Sequence, residues 1–290
     1  MAIQRRAFLS IAGASLGVTA GCISRIGRGG TEFGPLSLAA TTSTDDTGIL
    51  AEFNLAFEAR FDAAVMAIPR GTGAALRLVE DGEVDLALTH APLSEQALIG
   101  SGHAVNRRPF MWNRFVIVGP SGDPAGIGEF DELIPGLERL ASTETGFLSR
   151  GDNSGTHQRE QELWDEIEFE PDGEWYQEIG QGMGGTLVQA DQSQQYTLAD
   201  VGTFRSMRQQ LDLEIALYPP ADEYLHLNLY SVVATNPDRF EGLEHALAMA
   251  YIGFITGDEG QAIIDEFTVG GESLFQPARD LPIDLEVDGL

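Results

Sequence analysis

Short apolar stretches alternate with segments of helical periodicity along most of the chain, and this alternation constrains the fold most. Residues 36–40, 63–68 and 84–89 are apolar stretches of strand length. The apolar residues between the first two recur at the spacing of one helix face: Ile49, Leu50, Phe53, Phe57 and Phe61. Strands that alternate with helices indicate an α/β fold with parallel-type sheets and helices on both faces.

Polar and glycine-containing loops follow each of these predicted strands. Thr42, Ser43 and Thr44 follow the first strand, Gly71 and Thr72 follow the second, and His90 follows the third. Ligands of open α/β sheets bind outside the carboxyl ends of the strands, where such loops meet. The loops are therefore predicted to form one wall of a binding site.

The stretch from Ser149 to Glu160 has the features of an anion-binding helix start. A short strand is predicted to end at Ser149, and Ser154, Gly155 and Thr156 open a helical pattern over residues 157–167. The first N–H groups of a helix lack partners and its dipole is positive there, so an oxyanion finds donors aimed at it. Arg150 adds a planar cation with five donors. An ordinary N-cap beside a surface arginine is the alternative.

A glycine-rich loop over residues 180–186, which includes Met183 and Gly184, leads into a further helical pattern. Glycine lets backbone N–H groups approach a ligand closely, although a tight turn would explain the loop equally well. Residues 121–128 are rich in glycine, proline and aspartate and predict a crossover to a second domain. Residues 226–234 are predicted to be the strand that returns to the first domain.

Net charge excludes one class of partner. The chain has 45 acidic and 17 basic residues and a formal charge of -28, spread over most of its length. Nucleic acid is excluded, because phosphate binding needs a basic face. A diffuse acidic surface is typical of proteins adapted to high salt, so we expect a halophilic source. Any anion site must then act through short-range donors.

The N-terminus resembles an export signal. Arg5 and Arg6 begin a twin-arginine pattern, and a short apolar segment ends in a lipobox at Cys22, the only cysteine. We therefore expect a twin-arginine signal with lipobox over residues 1–22, lipidation of Cys22 and a flexible tether over residues 23–35. The apolar segment is too short to span a bilayer.

Six motifs, in order between residues 38 and 235, resemble the substrate-binding proteins of tungstate ABC transporters. They are Thr41-Thr42-Ser43-Thr44 with Asp46-Thr47-Gly48, Gly71-Thr72-Gly73-Ala74-Ala75-Leu76, His90-Ala91, Phe115 to Pro120 with Asp123-Pro124-Ala125-Gly126, Ser149-Arg150-Gly151-Asp152 with Ser154-Gly155-Thr156-His157, and Gly180-Gln181-Gly182-Met183-Gly184. The chain departs from the family at Ala40, where another threonine is usual.

The resemblance implies a type II periplasmic binding protein-like fold with a ligand cleft between two lobes. We expect residues 36–115 and 225–290 to form lobe 1 and residues 116–224 to form lobe 2. The ligand would be tungstate, which brings its tungsten only as an oxyanion, with no cofactor and no other metal. The expected donors are Thr42, Ser43, Thr44, Gly71, Thr72, His90, Arg150, Ser154, Gly155, Thr156, Met183 and Gly184.

The resemblance also implies a protein of transport and not an enzyme. The partners would be an ABC permease with its ATPase and the membrane that holds the lipid anchor. We expect a monomer that is exported and anchored on the outer face of the cell membrane. A receptor role for the same fold, as a sensor or chemoreceptor partner, stays open.

Other anions and another class of protein remain as alternatives. Phosphate carries a proton at neutral pH, so a phosphate site gains from a carboxylate acceptor, whereas this chain has His90 before Ala91 and Pro92. His90 could donate to the anion or could be a core residue that caps its strand. Molybdate and sulfate stay open as ligands, and Asp152 is expected to orient Arg150. A hydrolase that uses Ser154 and His157 is the alternative of another class, although no Gly-x-Ser-x-Gly elbow is present.

Overall fold

The computed structural model describes residues 34–282. The predicted signal over residues 1–22, the lipidation of Cys22 and almost all of the predicted tether lie outside the described residues. Within residues 34–282, no helix combines the length and the hydropathy needed to cross a bilayer.

Strands and helices alternate through most of the described chain. The strands are β1 Leu36–Thr41, β2 Val65–Arg70, β3 Leu86–Thr89, β4 Ala104–Pro120, β5 Phe147–Ser149, β6 Tyr176–Glu178, β7 Thr197–Asp200, β8 Leu213–Leu217, β9 Leu227–Thr235, β10 Thr268–Val269, β11 Glu272–Ser273 and β12 Gln276–Pro277. The helices are α1 Thr42–Asp46, α2 Ile49–Phe61, α3 Thr72–Glu80, α4 Pro92–Gly100, α5 Leu133–Thr143, α6 Gly155–Glu166, α7 Met183–Ser193, α8 Val201–Met207, α9 His245–Thr256 and α10 Asp258–Glu266.

The main sheet has the strand order β12-β4-β9-β3-β1-β2. β1 runs parallel to β2 and β3, while β9 pairs antiparallel with β3 and β4. The α/β class is confirmed, and the parallel pairing holds for β1, β2 and β3 and for the separate pair β5 and β6. The sheet becomes mixed because β9 returns beside β3 in the opposite direction. The carboxyl ends of β1, β2 and β3 share one edge, as predicted.

β4 is one strand of 17 residues that takes part in two sheet regions. Its first part pairs with β9, and its last part pairs antiparallel with β7 and β8. The sequence predicts only the stretch from Phe115 to Pro120. Residues 104–110 include Asn106, Arg107 and Arg108, and this polar content hides the start of the strand. Asn106 has φ of 54°, next to an irregularity in the pairing with β9.

Apolar packing gives each sheet region its own core. Phe53, Phe57 and Tyr251 are fully buried between α2, α9 and the main sheet, which we call the first region. Phe147 and Tyr196 are fully buried in a separate cluster around β7 and β8, which together with α5 to α8 form the second region. Full burial of one such side chain stabilises the fold by about 2–3 kcal/mol. The two regions are therefore each stabilised by their own apolar contacts.

The polar stretch after β1 forms a short helix where the sequence predicts a loop. Thr41 is extended at φ of -68° and α1 follows over Thr42–Asp46. Its Thr44 is fully buried, and this burial outweighs the weak helix preference of Thr, Ser and Asp. Gly48, at φ of 89°, separates α1 from α2 in a conformation that glycine adopts without strain.

Candidate anion-binding site

A cavity of about 470 Å³ lies between the start of α1 and the second region. Its walls come from both sheet regions and from β10. The lining residues are Thr42, Ser43, Asp46, Thr47, Arg150, Gly182, Met183, Gly184, Gly185, Thr203, Ser206, Met207, Gln210 and Val269. The predicted site residues Thr42, Ser43, Arg150, Met183 and Gly184 are thus brought together, from segments up to about 140 residues apart in the sequence.

Linked hydroxyl groups form the wall at the end of β1. The Thr41 Oγ1 atom lies 3.2 Å from Ser43 Oγ and 2.8 Å from Thr44 Oγ1. Thr44 is fully buried, so it supports the wall from behind while Thr42 and Ser43 face the cavity. Each hydroxyl can both donate and accept, so this wall can turn protons toward an anion.

The opposite wall contains one buried guanidinium. The side chain of Arg150 is only 7% exposed, and its Nη2 atom donates to Asp152 Oδ2 at 2.7 Å. Its Nη1 atom donates to Thr156 Oγ1 at 3.3 Å, while Nε has no hydrogen-bond partner among the described residues. A buried guanidinium with an unused N–H beside an open cavity is a donor set for an oxyanion. Thr156 is fully buried, so its contribution is to hold the Arg150 guanidinium.

Asp152 holds Arg150 in place, as expected. Burial works to raise the pKa of Asp152, but the Arg150 charge and hydrogen bonds from Ser154 and Arg150 outweigh it and hold this pKa below its usual value. Asp152 therefore stays ionised, and the ion pair fixes the orientation of the guanidinium. Its other oxygen, Oδ1, accepts the Ser154 N–H at 3.1 Å.

Ser154 and Gly155 shape the start of α6 and do not line the cavity of Arg150. Ser154 Oγ is the N-cap and accepts the His157 N–H at 3.3 Å. A Cβ atom at Gly155 would overlap the His90 carbonyl oxygen and would lie 2.6 Å from His90 Nδ1. Glycine thus lets α6 of the second region meet the end of β3 of the first region directly.

His157 and Ser154 are not arranged as a base and a nucleophile. His157 Nδ1 accepts the Asn153 N–H at 3.0 Å, and its Nε2 atom lies 3.5 Å from Glu178 Oε1. The backbone thereby occupies His157 Nδ1, Nε2 has no hydrogen-bond partner among the described residues, and the Ser154 hydroxyl is engaged by the helix backbone. The geometry lacks the hydrogen bond between serine and histidine that activates a nucleophile.

His90, Gly71 and Thr72 are also not among the residues that line the cavity. His90 is buried, with Nδ1 at 2.9 Å from Asn228 Oδ1 and its ring stacked on Tyr230 at 4.9 Å between centroids. Burial lowers the pKa of His90, and the Arg150 charge acts in the same direction, so the ring is neutral near pH 7. Thr72 is buried at the start of α3, next to the exposed Gly71.

Several lining residues escaped sequence reasoning. Thr203, Ser206 and Gln210 add polar groups from α8 and the turn after it, and Val269 reaches the cavity from β10. The sequence does indicate the start of α8 near Thr203. Asp200 caps this helix by accepting the Thr203 N–H at 2.8 Å, and a polar residue three positions before a threonine is the pattern of such a cap. Nothing in the sequence connects Val269 to this cavity.

Asp46 is the one acidic residue in the wall. Burial raises the pKa of Asp46, and the charge of Asp45 adds to this effect. Its charge opposes anion binding, so the hydroxyls and Arg150 must outweigh it. In the described part of the chain, no group of three or more His, Cys, Asp or Glu residues could hold a metal ion. The donor set fits an anion.

Comparison with known families agrees with this geometry. The model of the PBP superfamily domain matches residues 30–259. Because this match covers more than half of the chain, the chain belongs to the PBP superfamily.

Individual relatives are more specific. The chain is 44% identical to a Haloferax volcanii protein provisionally named as an ABC transporter anion-binding protein, over 96% of this chain and 86% of the relative. It is 36% identical to the tungstate-binding protein TupA of Peptoclostridium acidaminophilum, over 84% of this chain and 86% of the relative. The crystal structure of the tungstate ABC transporter from Geobacter sulfurreducens superposes with a TM-score of 0.74 at 40% identity, over 80% of this chain and 98% of that chain. The resemblance drawn from the six motifs is thereby confirmed.

Proposed function

We propose that this protein captures tungstate outside the cell and delivers it to an ABC permease, which an ATPase drives. One observation supports this most directly: Arg150, buried and fixed by Asp152, lines a cavity whose facing wall carries the hydroxyls of Thr42 and Ser43, and its Nε–H has no partner among the described residues. Hydrogen bonds from a charged donor to an oxyanion contribute about 1.5–3 kcal/mol each, enough to overcome a long-range acidic field at short distance.

The two sheet regions correspond to the two lobes of a clamp in this proposal. Residues 36–115 and 225–290 would form lobe 1, residues 116–224 would form lobe 2, and the anion would join the hydroxyl wall to the Arg150 wall on closure. The contact between Gly155 and His90 supports it, because it already brings the two regions together beside the cavity. Binding and closure require no chemical step, so we propose a transport role and no catalysis.

Export and anchoring complete the proposal. The twin-arginine pattern and Cys22 would place a monomer on the outer face of the membrane through a lipid anchor. The relatives of this chain include an ABC transporter anion-binding protein, which supports a permease as the partner.

Calorimetric titration and thermal melting with tungstate, molybdate, sulfate and phosphate test the function. At a tungstate concentration of about 100 times Kd, bound ligand stabilises the protein by about 2.7 kcal/mol, so we expect the melting temperature to rise by about 5 °C or more. Arg150→Ala should abolish the shift. Arg139→Ala, which removes the same charge from α5 in the second region, should keep it.

Two results would contradict the proposal. One is a melting temperature that none of the four anions changes in the wild type. The other is an equal loss of binding in Arg150→Ala and Arg139→Ala, since net charge and not the cavity donor would then be responsible. Tight binding of phosphate with no response to tungstate would keep the site and replace the ligand.

A further inference from the structure

A series of buried hydrogen bonds crosses from the first sheet region to the second. His90 Nδ1 lies 2.9 Å from Asn228 Oδ1, and Asn228 Nδ2 donates to Asn113 Oδ1 at 3.0 Å. Asn113 Nδ2 then donates to Asp200 Oδ1 at 3.3 Å. These four residues come from the end of β3, from β9, from β4 and from the end of β7, and each is at most 4% exposed.

The contact of Asn113 with Leu274 determines which atom donates and which accepts in every hydrogen bond of this series. Asn113 Nδ2 also lies 3.3 Å from the Leu274 carbonyl oxygen, which can only accept. The Asn113 amide must therefore turn its NH2 group toward Leu274 and Asp200 and its oxygen toward Asn228. Asn228 must then offer its NH2 group to Asn113, which leaves its own oxygen to accept from His90 Nδ1–H.

The same orientation determines what Tyr230 can do. The second N–H of Asn228 Nδ2 donates to the Tyr230 hydroxyl oxygen at 3.0 Å. The phenol oxygen thus accepts from Asn228, and its own proton must point elsewhere. Burial raises the pKa of Tyr230 well above its ordinary value, while Asn228, the Ser43 hydroxyl and the Arg150 charge act in the opposite direction. The phenol keeps its proton and lies beside Ser43, which lines the cavity.

We propose that Asn228 is a positioning residue of the anion site, which makes Tyr230 turn its hydroxyl proton toward Ser43, so that the Ser43 hydroxyl in turn donates to the bound oxyanion. This inference rests on the proposed function. The neutral His90 ring, protonated on Nδ1, keeps a lone pair on Nε2 and is no anion donor. Tyr230 is fully buried and does not line the cavity, so it acts on the anion through Ser43.

The fixed direction of these hydrogen bonds favours anions that carry no proton. A Ser43 hydroxyl that accepts from Tyr230 and donates to the cavity suits a tetrahedral dianion whose oxygens all accept, such as tungstate. Hydrogen phosphate carries a proton that needs an acceptor, and the orientation of Asn228 denies it the Ser43 oxygen. Asn228 therefore acts on selectivity without lining the cavity itself.

Two substitutions test the proposal by calorimetric titration with tungstate and phosphate. Tyr230→Phe removes only the hydroxyl, and we expect tungstate affinity to fall roughly 10-fold, because the Ser43 hydroxyl is then no longer turned to donate to the anion. Asn228→Asp replaces the NH2 group by an acceptor, so the Tyr230 proton turns back to residue 228. We expect a similar loss for tungstate, and a fall of roughly 10-fold in its preference over phosphate.

The double variant separates positioning from packing. If Asn228 acts through Tyr230, Asn228→Asp with Tyr230→Phe should bind tungstate within about 3-fold of Asn228→Asp alone, whereas independent effects would multiply. Ser231→Ala is the matched control on β9, because its Oγ is buried without a hydrogen-bond partner in the described structure and points to the opposite face. Its affinity should equal that of the wild type.

The outcomes distinguish this inference from the proposed function. A wild type that binds tungstate, together with Tyr230→Phe and Asn228→Asp variants that bind it equally well, overturns the inference and leaves the function intact. A wild type that binds none of the four anions overturns the function itself. Should Asn228→Asp fail to fold, Asn113→Ser removes the amide that fixes Asn228, and an unchanged preference for tungstate over phosphate in that variant would contradict the proposal.

Discussion

The two ends of α6 lie in opposite electrostatic surroundings. At its start, Arg150 and the cavity of about 470 Å³ offer hydrogen-bond donors. At its end, a larger depression of about 830 Å³ is lined by five carboxylates and four aromatic or apolar side chains that include Trp164. The carboxylates are Asp165, Glu168, Glu170, Asp172 and Glu178.

The chemistry of the lining side chains, and not the volume, distinguishes the candidate anion site from the larger depression. Arg150, which lines the cavity, contacts Thr156 in the first turn of α6, where the helix dipole is positive. The dipole is negative at the end of α6, where the carboxylates add to it. An anion is therefore repelled from the larger depression and attracted at the smaller cavity. The acidic surface of the protein and its anion site coexist because the attraction acts over hydrogen-bond distances.

The largest expected effect concerns Glu160, between the two ends. Burial raises the pKa of Glu160 from 4.5 to about 7, against hydrogen bonds from Tyr176 and other groups that lower it. Between these values the folded protein keeps a proton that the unfolded chain loses. Stability therefore falls as pH rises through this window, by up to about 3 kcal/mol.

Glu160→Gln should remove this decline, because glutamine does not titrate. The measurement is urea unfolding between about pH 5 and about pH 8, with the exposed Glu168→Gln as the control that keeps the wild-type slope. Parallel stability curves for the wild type and Glu160→Gln would show that Glu160 does not stay protonated in the folded state.

Gly155→Ala should disturb the cavity end of α6 strongly. The new methyl group would overlap the His90 carbonyl oxygen, so α6 must move away from β3. We expect a loss of about 2 kcal/mol in stability and weaker tungstate binding. Gly253→Ala, on a helix where a Cβ atom has open space, is the control and should not weaken binding. Wild-type affinity in Gly155→Ala would mean that this contact does not matter for the cavity.

Ser154→Ala should have a smaller effect at the same end. It removes the N-cap bond to His157 N and costs about 1 kcal/mol, which lowers the melting temperature by about 2–4 °C. Tungstate affinity should change little, because Ser154 does not line the cavity. A loss of binding as large as that of Arg150→Ala would place the Ser154 hydroxyl on the anion.

The smallest effect is expected at the acidic end. Glu168→Gln combined with Asp172→Asn removes two exposed charges from the depression. Affinity for tungstate should be unchanged at high salt, while the association rate measured by stopped flow should rise modestly at low salt. An increase in affinity that persists at high salt would contradict the separation of the two ends.

Local patterns were enough to predict β1, β2 and β3 and the place of Arg150 before a helix start. β1 and β3 follow from apolar runs, and Arg150 follows from its place before a helix start, because backbone preference and periodicity are encoded by near neighbours. The same reasoning missed α1 and the first part of β4. Burial of Thr44 and pairing with β9 decide those elements, and both depend on distant segments.

The hydrogen bonds of Asn228 could not be predicted from the sequence. Asn228 contacts His90 and Asn113, which are 138 and 115 residues away in the chain. The position of His90 relative to the anion depends on Asn228, Asn113 and Gly155. None of these three residues is a sequence neighbour of His90. Placement of Gly71 and Thr72 on the cavity likewise stays a prediction, since the described cavity is lined by other residues.

The pairing of β4 with β9 determines how the molecule responds to a pulling force. Residues 104–114 are held against residues 227–235, and the chain between them leaves and returns through these two adjacent strands. A force applied at the two ends of the described chain is carried across this ladder, so the second region is shielded from tension until the ladder breaks. In an optical trap, the first extension step should therefore release the first region, and the segment that holds Arg150 should unravel last.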